Sequence, residues 1–228
     1  MIQIYYKLSW DKMYNIFYDR LEFNEYFDEP LTDEIFEIMK GVEEIEFGRN
    51  FNQPIQFPVL PNIKRISFGY DFDQTIDLKK LTGLKEIFFG GSFNQPVDNL
   101  PYGIESISFG NHFDQPVNNL PGSLKCLMFS GIFNQSLDNL PHGLLDLSLG
   151  YFYNQPLNNL PNSLEKLYLW DYSLPLDNLP DSVISINLRN NNYYHKITKL
   201  PKNLKYFTNV DKILDIDRVL EAQSINYE

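Results

Sequence analysis

The chain is poor in the residues that carry most enzyme and metal chemistry, with one cysteine, Cys126, and three histidines in 228 residues. A single cysteine excludes an intrachain disulfide and suits a reducing compartment. No Cys-x-x-Cys or His-x-x-x-His pair occurs, so no metal is expected, and no other cofactor. No apolar run approaches the roughly eighteen residues of a membrane span. The start, Met1-Ile2-Gln3-Ile4-Tyr5-Tyr6-Lys7, lacks the basic head and apolar body of an export signal. An intracellular chain, with no membrane as partner, is therefore expected. Bases are scarce as well: 19 Lys and Arg face 30 Asp and Glu, for a net charge of -11. That balance argues against a nucleic-acid partner, because a phosphate backbone demands clustered cations. A protein partner is the expectation that remains.

What the chain has in abundance is repetition. Phe93-Asn94-Gln95-Pro96-Val97 returns as Phe113-Asp114-Gln115-Pro116-Val117, Phe133-Asn134-Gln135-Ser136-Leu137 and Tyr153-Asn154-Gln155-Pro156-Leu157. A unit of about twenty residues cannot bury its own apolar face, so the copies must stack into a solenoid. Between these segments run apolar triplets such as Leu84/Ile87/Phe89, Ile104/Ile107/Phe109 and Leu124/Leu127/Phe129. The last two members of each lie two residues apart, the period of a short strand with one buried face. Gly48, Gly69, Gly90, Gly110 and Gly150 follow the strands, and positive φ is expected there to let the chain turn away. The column Phe51, Phe72, Phe93, Phe113, Phe133 and Tyr153 should stack as an aromatic spine. The Asn or Asp behind it can bridge to the neighbouring coil.

The Leu-x-x-Leu-x-Leu frame resembles the leucine-rich repeat, and the Phe-Asn-x-Pro signature within it resembles the FNIP repeat family of social amoebae and amoeba-infecting giant viruses. The resemblance runs over residues 18–210 and implies a mainly β, right-handed solenoid. One parallel sheet of about ten short strands would line its concave face, with little helix. It also implies a non-catalytic interaction scaffold in the cytoplasm, the host's if the chain is viral. Some family members carry an F-box that links them to ubiquitin ligases. The segment before the first copy is too short for such a helical module, which leaves a substrate-recognition subunit without its own F-box as a lesser reading. Residues 1–17 and 211–228 read as caps, the latter helical because Ile213, Leu214, Ile216, Val219 and Leu220 recur without proline. A short helix is also expected at Thr32-Asp33-Glu34-Ile35-Phe36-Glu37-Ile38-Met39, from its capping residue and early acids.

Outward strand positions are the ones stacking leaves open to function. One such column runs Arg20, Glu44, Arg65, Glu86, Ser106, Cys126, Asp146 and Lys166, with alternating charges that can pair across strands. A second contains Phe88, Met128 and Tyr168, and Tyr151, Phe152, Trp170 and Tyr172 lie near the strand ends of the later copies. Exposed aromatic and Met residues mark protein-binding surfaces, so these seven are the candidate contact residues. Cys126 and His112 fall in columns about six extended residues apart, too far for a catalytic dyad, and no enzyme is expected. Residues 1–50 hold twelve acids against five bases, whereas 189–210 hold Arg189, Lys196, Lys199, Lys202 and Lys205 and no acid. A structural component that associates end to end, head to tail, through this basic patch is the alternative reading.

Overall fold

The computed structural model describes residues 14–189, 193, 195, 197–209 and 212–214, the last three as backbone. The chain divides into two compact units, Met1–Phe113 and Asp114–Glu228, built on one plan. In the first unit the strands are β1 (Tyr14–Phe17), β2 (Arg20–Phe23), β3 (Glu44–Glu46), β4 (Arg65–Ser67), β5 (Glu86–Phe88) and β6 (Ser106–Phe109), with helix α1 (Asp33–Met39) after β2. Strands β2 to β6 pair in parallel and in chain order, which sets Leu21, Ile45, Ile66, Ile87 and Ile107 in one buried row. In the second unit β7 (Cys126–Phe129), β8 (Asp146–Leu149), β9 (Lys166–Leu169), β10 (Ser185–Leu188) and β11 (Tyr206–Asn209) lie within the same kind of ladder. Each unit is thus a β-solenoid whose coil contributes one short parallel strand.

Two antiparallel strands raise the number above the expected ten. β1 folds back on β2 through a tight turn in which Tyr18 takes φ 55, and β12 (Lys212–Leu214) folds back on β11. The C-terminal segment was expected to be helical from its apolar spacing. At 212–214 it instead pairs with the backbone edge that β11 would leave open, the stronger demand on an edge strand; residues 211 and 215–228 lie outside the described ones. Helix α1 forms where its cap predicts, the Ile35 N–H donating to Thr32 Oγ1 at 3.4 Å, with Ile35 and Met39 buried.

The core of the first unit is a double row of phenylalanines. Phe27, Phe51, Phe72, Phe93 and Phe113 stack at 5.7 to 6.1 Å with planes within 7° of parallel. Phe47, Phe68 and Phe89, each directly after its strand, and Phe109, the last residue of β6, form a second row at 5.3 to 5.6 Å. Within a coil the two rows touch, at 4.2 Å for Phe68 and Phe72 and 4.0 Å for Phe89 and Phe93. In the second unit the strand row turns to leucine at Leu149, Leu169 and Leu188, and the other row turns to tyrosine, Phe133 stacking on Tyr153 and Tyr153 on Tyr172.

Behind the rings runs a ladder of side-chain oxygens. The Asn52 N–H donates to Asp28 Oδ1, that of Asp73 to Asn52 Oδ1 and that of Asn94 to Asp73 Oδ1, all at 2.8 to 2.9 Å. Gln53, Gln74 and Gln95 donate their amides to the same oxygens, and Asn134 and Asn154 continue the pattern in the second unit. The Asn or Asp of the motif therefore satisfies the turn of the following coil, where an open backbone donor would otherwise be lost, while the Gln beside it donates to the preceding coil.

The glycine column has a different cause from the one expected. No glycine among the described residues has positive φ. A Cβ on Gly48, Gly69, Gly90 or Gly110 would instead overlap the carbonyl of Asn24, Gly48, Gly69 or Gly90, and one on Gly150 that of Ser130. Glycine is needed because the backbone of the preceding coil passes through the space of a side chain.

The tyrosine row yields a prediction. Tyr172 donates its hydroxyl to the Gln155 carbonyl at 3.2 Å and Tyr193 to that of Leu174 at 3.1 Å. The Tyr153 hydroxyl is buried with no hydrogen-bond partner among the described residues, and burial holds its phenol well above the ordinary range. Tyr153→Phe should therefore raise stability by about 1 kcal/mol, read as a higher urea midpoint at unchanged slope.

Candidate functional site

Side chains alternate along a strand, so in the second unit Ser148, then Tyr168 and Trp170, then Asn187 and Arg189 share the face turned from the core. Ser148, Tyr168 and Asn187 sit opposite one another in register on β8, β9 and β10. Trp170 and Arg189 follow one step beyond the strand ends. The Arg189 guanidinium lies over the Trp170 ring at 4.6 Å, and the Tyr151 ring meets Trp170 at 4.9 Å with a tilt of 43°. Tyr151 is 57% and Tyr168 40% exposed, and Phe152, the residue after Tyr151 in the chain, is 65% exposed. Beside the stack opens a shallow hollow of about 130 Å³ lined by Ser148, Tyr168, Leu169, Trp170, Asn187 and Arg189.

The structure thus brings together Tyr151, Tyr168 and Trp170 of the expected contact residues. Met128 pairs in register with Ser148 and is half-buried. Phe88 belongs to the first unit, where it is half-buried with the Arg65 guanidinium 6.0 Å from its ring. Tyr172 leaves the set: it is 1% exposed and stacks on Tyr153 as the next member of the core row. Its place near a strand end reads as surface, and its coil is a residue shorter. In fact Tyr172-Ser173 replaces Phe-Asn, the Ser173 hydroxyl donating to Asn154 Oδ1 at 3.0 Å.

The expected basic patch is also altered. Arg189 belongs to the aromatic cluster. Lys202 pairs with Asp181 at 2.9 Å and holds that carboxyl below its ordinary range, mainly through their side-chain hydrogen bond. The Lys199 N–H donates to Asp177 Oδ1, Lys205 is exposed, and Lys196 lies outside the described residues. A census beginning at Arg189 omits Asp177 and Asp181, which the preceding coil brings alongside. The alternating charges elsewhere do pair: Arg20 with Glu46, Arg65 with Glu44 at 3.4 Å and Glu86 at 2.9 Å, and Lys166 with Asp146 at 3.3 Å. Among the described residues no three His, Cys, Asp or Glu side chains converge as metal ligands, and no helix is long and apolar enough to cross a membrane.

One related arrangement was not foreseen. In the first unit Arg49 lies 5.3 Å from the Tyr70 ring, which covers Gly91 so closely that a Cβ there would strike it. The signal was an arginine followed, one copy later, by an aromatic residue in the same column; in the cluster of Trp170 and Arg189 the order is reversed.

Comparison with known proteins agrees with this architecture. A solved structure, CroV588, described as a novel circular LRR protein and coming from a giant virus, superposes with a TM-score of 0.52 at 22% identity. The match covers 88% of this chain and 48% of that one, so the chain spans about half the length of its structural relative. No curated protein matches the chain. The FNIP Repeat family model matches residues 34–71, 93–132 and 133–172, together just over half of the sequence. With the stacked Phe rows and the Asn ladder built from that same motif, the chain belongs to the FNIP repeat family.

Proposed function

We propose that this protein is a non-catalytic scaffold that binds a protein partner through the strand-end cluster of its second unit, formed by Tyr151, Phe152, Tyr168 and Trp170. Solenoids of the leucine-rich type are in general interaction scaffolds, and in this one the single supporting observation is the exposure of Tyr151, whose ring meets Trp170, and of Tyr168, which lines the same hollow as Trp170 and Arg189. Such rings offer large apolar area with little conformational freedom to lose, the composition of binding hot spots. The core and turn residues are already committed to stacking and cannot serve a partner.

The test is a photo-crosslinking amino acid placed at Tyr168, with Tyr102 as control, a residue of the first unit that is 92% exposed. In the source cell a discrete partner should be captured from position 168 and not from 102. Combined replacement of Tyr151, Phe152 and Tyr168 by serine should leave the circular dichroism spectrum unchanged and weaken binding to that partner at least about tenfold. Equal capture from both positions, or undiminished binding by the triple variant, overturns the proposal.

A further inference from the structure

We infer that the hollow beside Trp170 docks an extended segment of the partner's chain by its main chain, the Asn187 side-chain amide accepting the N–H and donating to the C=O of one residue; this rests on the protein-binding reading above. Asn187 stands on the face turned from the core, between Tyr168 on β9 and Thr208 on β11. It is half-buried, and its side chain bonds to nothing among the described residues. Asparagines elsewhere in the second unit are satisfied from coil to coil: Asn139 donates to Asn118 Oδ1, Asn159 to Asp138 Oδ1 and Asn178 to Asn158 Oδ1. Asn187 has no such neighbour. Tyr168 stands on one side, and on the other the Thr208 hydroxyl donates to the Ile186 carbonyl at 3.4 Å.

An amide so placed sets the chemistry of what covers it. It carries two donors and an acceptor, and an apolar surface laid over it would strand them in a dry contact. A carboxylate would answer the donors alone. One residue of an extended chain answers both, because its N–H and C=O point to the same edge, the pairing that antiparallel strands exchange. The other neutral polar groups of the lining include the hydroxyls of Ser148 and Tyr168, which suit the dipoles of a main chain. Side chains on such a segment alternate, and the exposed rings of Tyr168 and Tyr151 lie on one flank of Asn187 to receive the apolar ones.

A sugar ring fits less well. It needs an open aromatic face, and here Arg189 lies over Trp170 at 4.6 Å while Tyr151 meets the same ring at 4.9 Å. Size agrees with a peptide: about 130 Å³ accommodates a single residue, well short of the roughly 300 Å³ at which pockets for whole small molecules begin.

The test uses the full chain, acetyl-Phe-Ala-Phe-amide, its three analogues in which one main-chain N–H is replaced by an ester oxygen, and methyl β-glucoside, followed by two-dimensional NMR. The parent peptide should move the Asn187 side-chain amide signals with a Kd of about 1 mM or tighter. One of the three esters should bind at least about fivefold more weakly. Asn187→Ala should bind the parent more weakly and no longer distinguish it from that ester. Equal binding of all four peptides, an ester preference that survives Asn187→Ala, tighter binding of the glucoside than of the parent peptide, or no shift up to about 5 mM peptide overturns the inference. If Asn187→Ala alters the spectrum broadly, Asn187→Leu takes its place, and the ester ranking with the Asn187 signals of the unaltered protein still decides. Crosslinking at Tyr168 without an ester effect removes the main-chain docking alone; an ester effect without a captured protein removes the scaffold reading.

Discussion

Replacing Gly90 by alanine should cost the protein about 3 to 5 kcal/mol, the upper end of what a single added methyl group does. The new Cβ would overlap the carbonyl of Gly69, and that obstacle is backbone, not a side chain able to swing aside. Nor can the coils move apart, because β4, β5 and β6 are hydrogen-bonded in register on both sides of the contact, at the fixed spacing of a parallel ladder. Gly122→Ala is the matched control. A Cβ there meets nothing within 4 Å and the backbone has no positive φ, so stability should stay within about 0.5 kcal/mol or rise slightly. Urea unfolding of both variants decides the matter: a loss below about 1 kcal/mol for Gly90→Ala would mean that the coils are not packed as closely as described.

Phe93→Ala should be comparably severe, with a loss of about 3 to 5 kcal/mol. Phe93 is fully buried and its ring stacks on Phe72, Phe89 and Phe113, so truncation opens a cavity whose walls are held by strands and cannot collapse. Phe93→Leu should cost about 1.5 kcal/mol or less, since volume is largely retained. The damage should also be local. In a stack whose coils touch only their neighbours, amide exchange should accelerate first in the coils that carry Phe72, Phe93 and Phe113. Uniform acceleration throughout the chain would contradict this picture.

Much of the solenoid could be read directly from the residues. The triplets such as Leu84, Ile87 and Phe89 located the strands, and Phe93 and its equivalents located the spine, because a repeat exposes each structural role many times over. What escaped were features that depend on the distance between copies. Gly90 suggested positive φ, yet its reason is a carbonyl 21 residues earlier in the chain. Tyr172 reads as a surface residue from its place near a strand end, although its side chain takes a core place. The stack of Arg189 on Trp170 joins two coils of unequal length, and no regular spacing announces it. The end strands β1 and β12 answer open backbone edges, a need that hydropathy does not record.

The ion pairs of the first unit have a consequence beyond their small energies. Phe rows, Asn ladder and glycine column are nearly alike from coil to coil, so they would tolerate a chain that skipped a copy and set β2 against β4 or β3 against β5. The charged row would not. Such a slip places Arg20 opposite Arg65, or Glu44 opposite Glu86, where the native order joins Arg20 to Glu46 and Arg65 to both Glu44 and Glu86. Like charges facing across adjacent strands repel. Half-exposed pairs that add little to stability therefore act as a parity check on sequence order, distinguishing each coil from its near-identical neighbours while the array assembles.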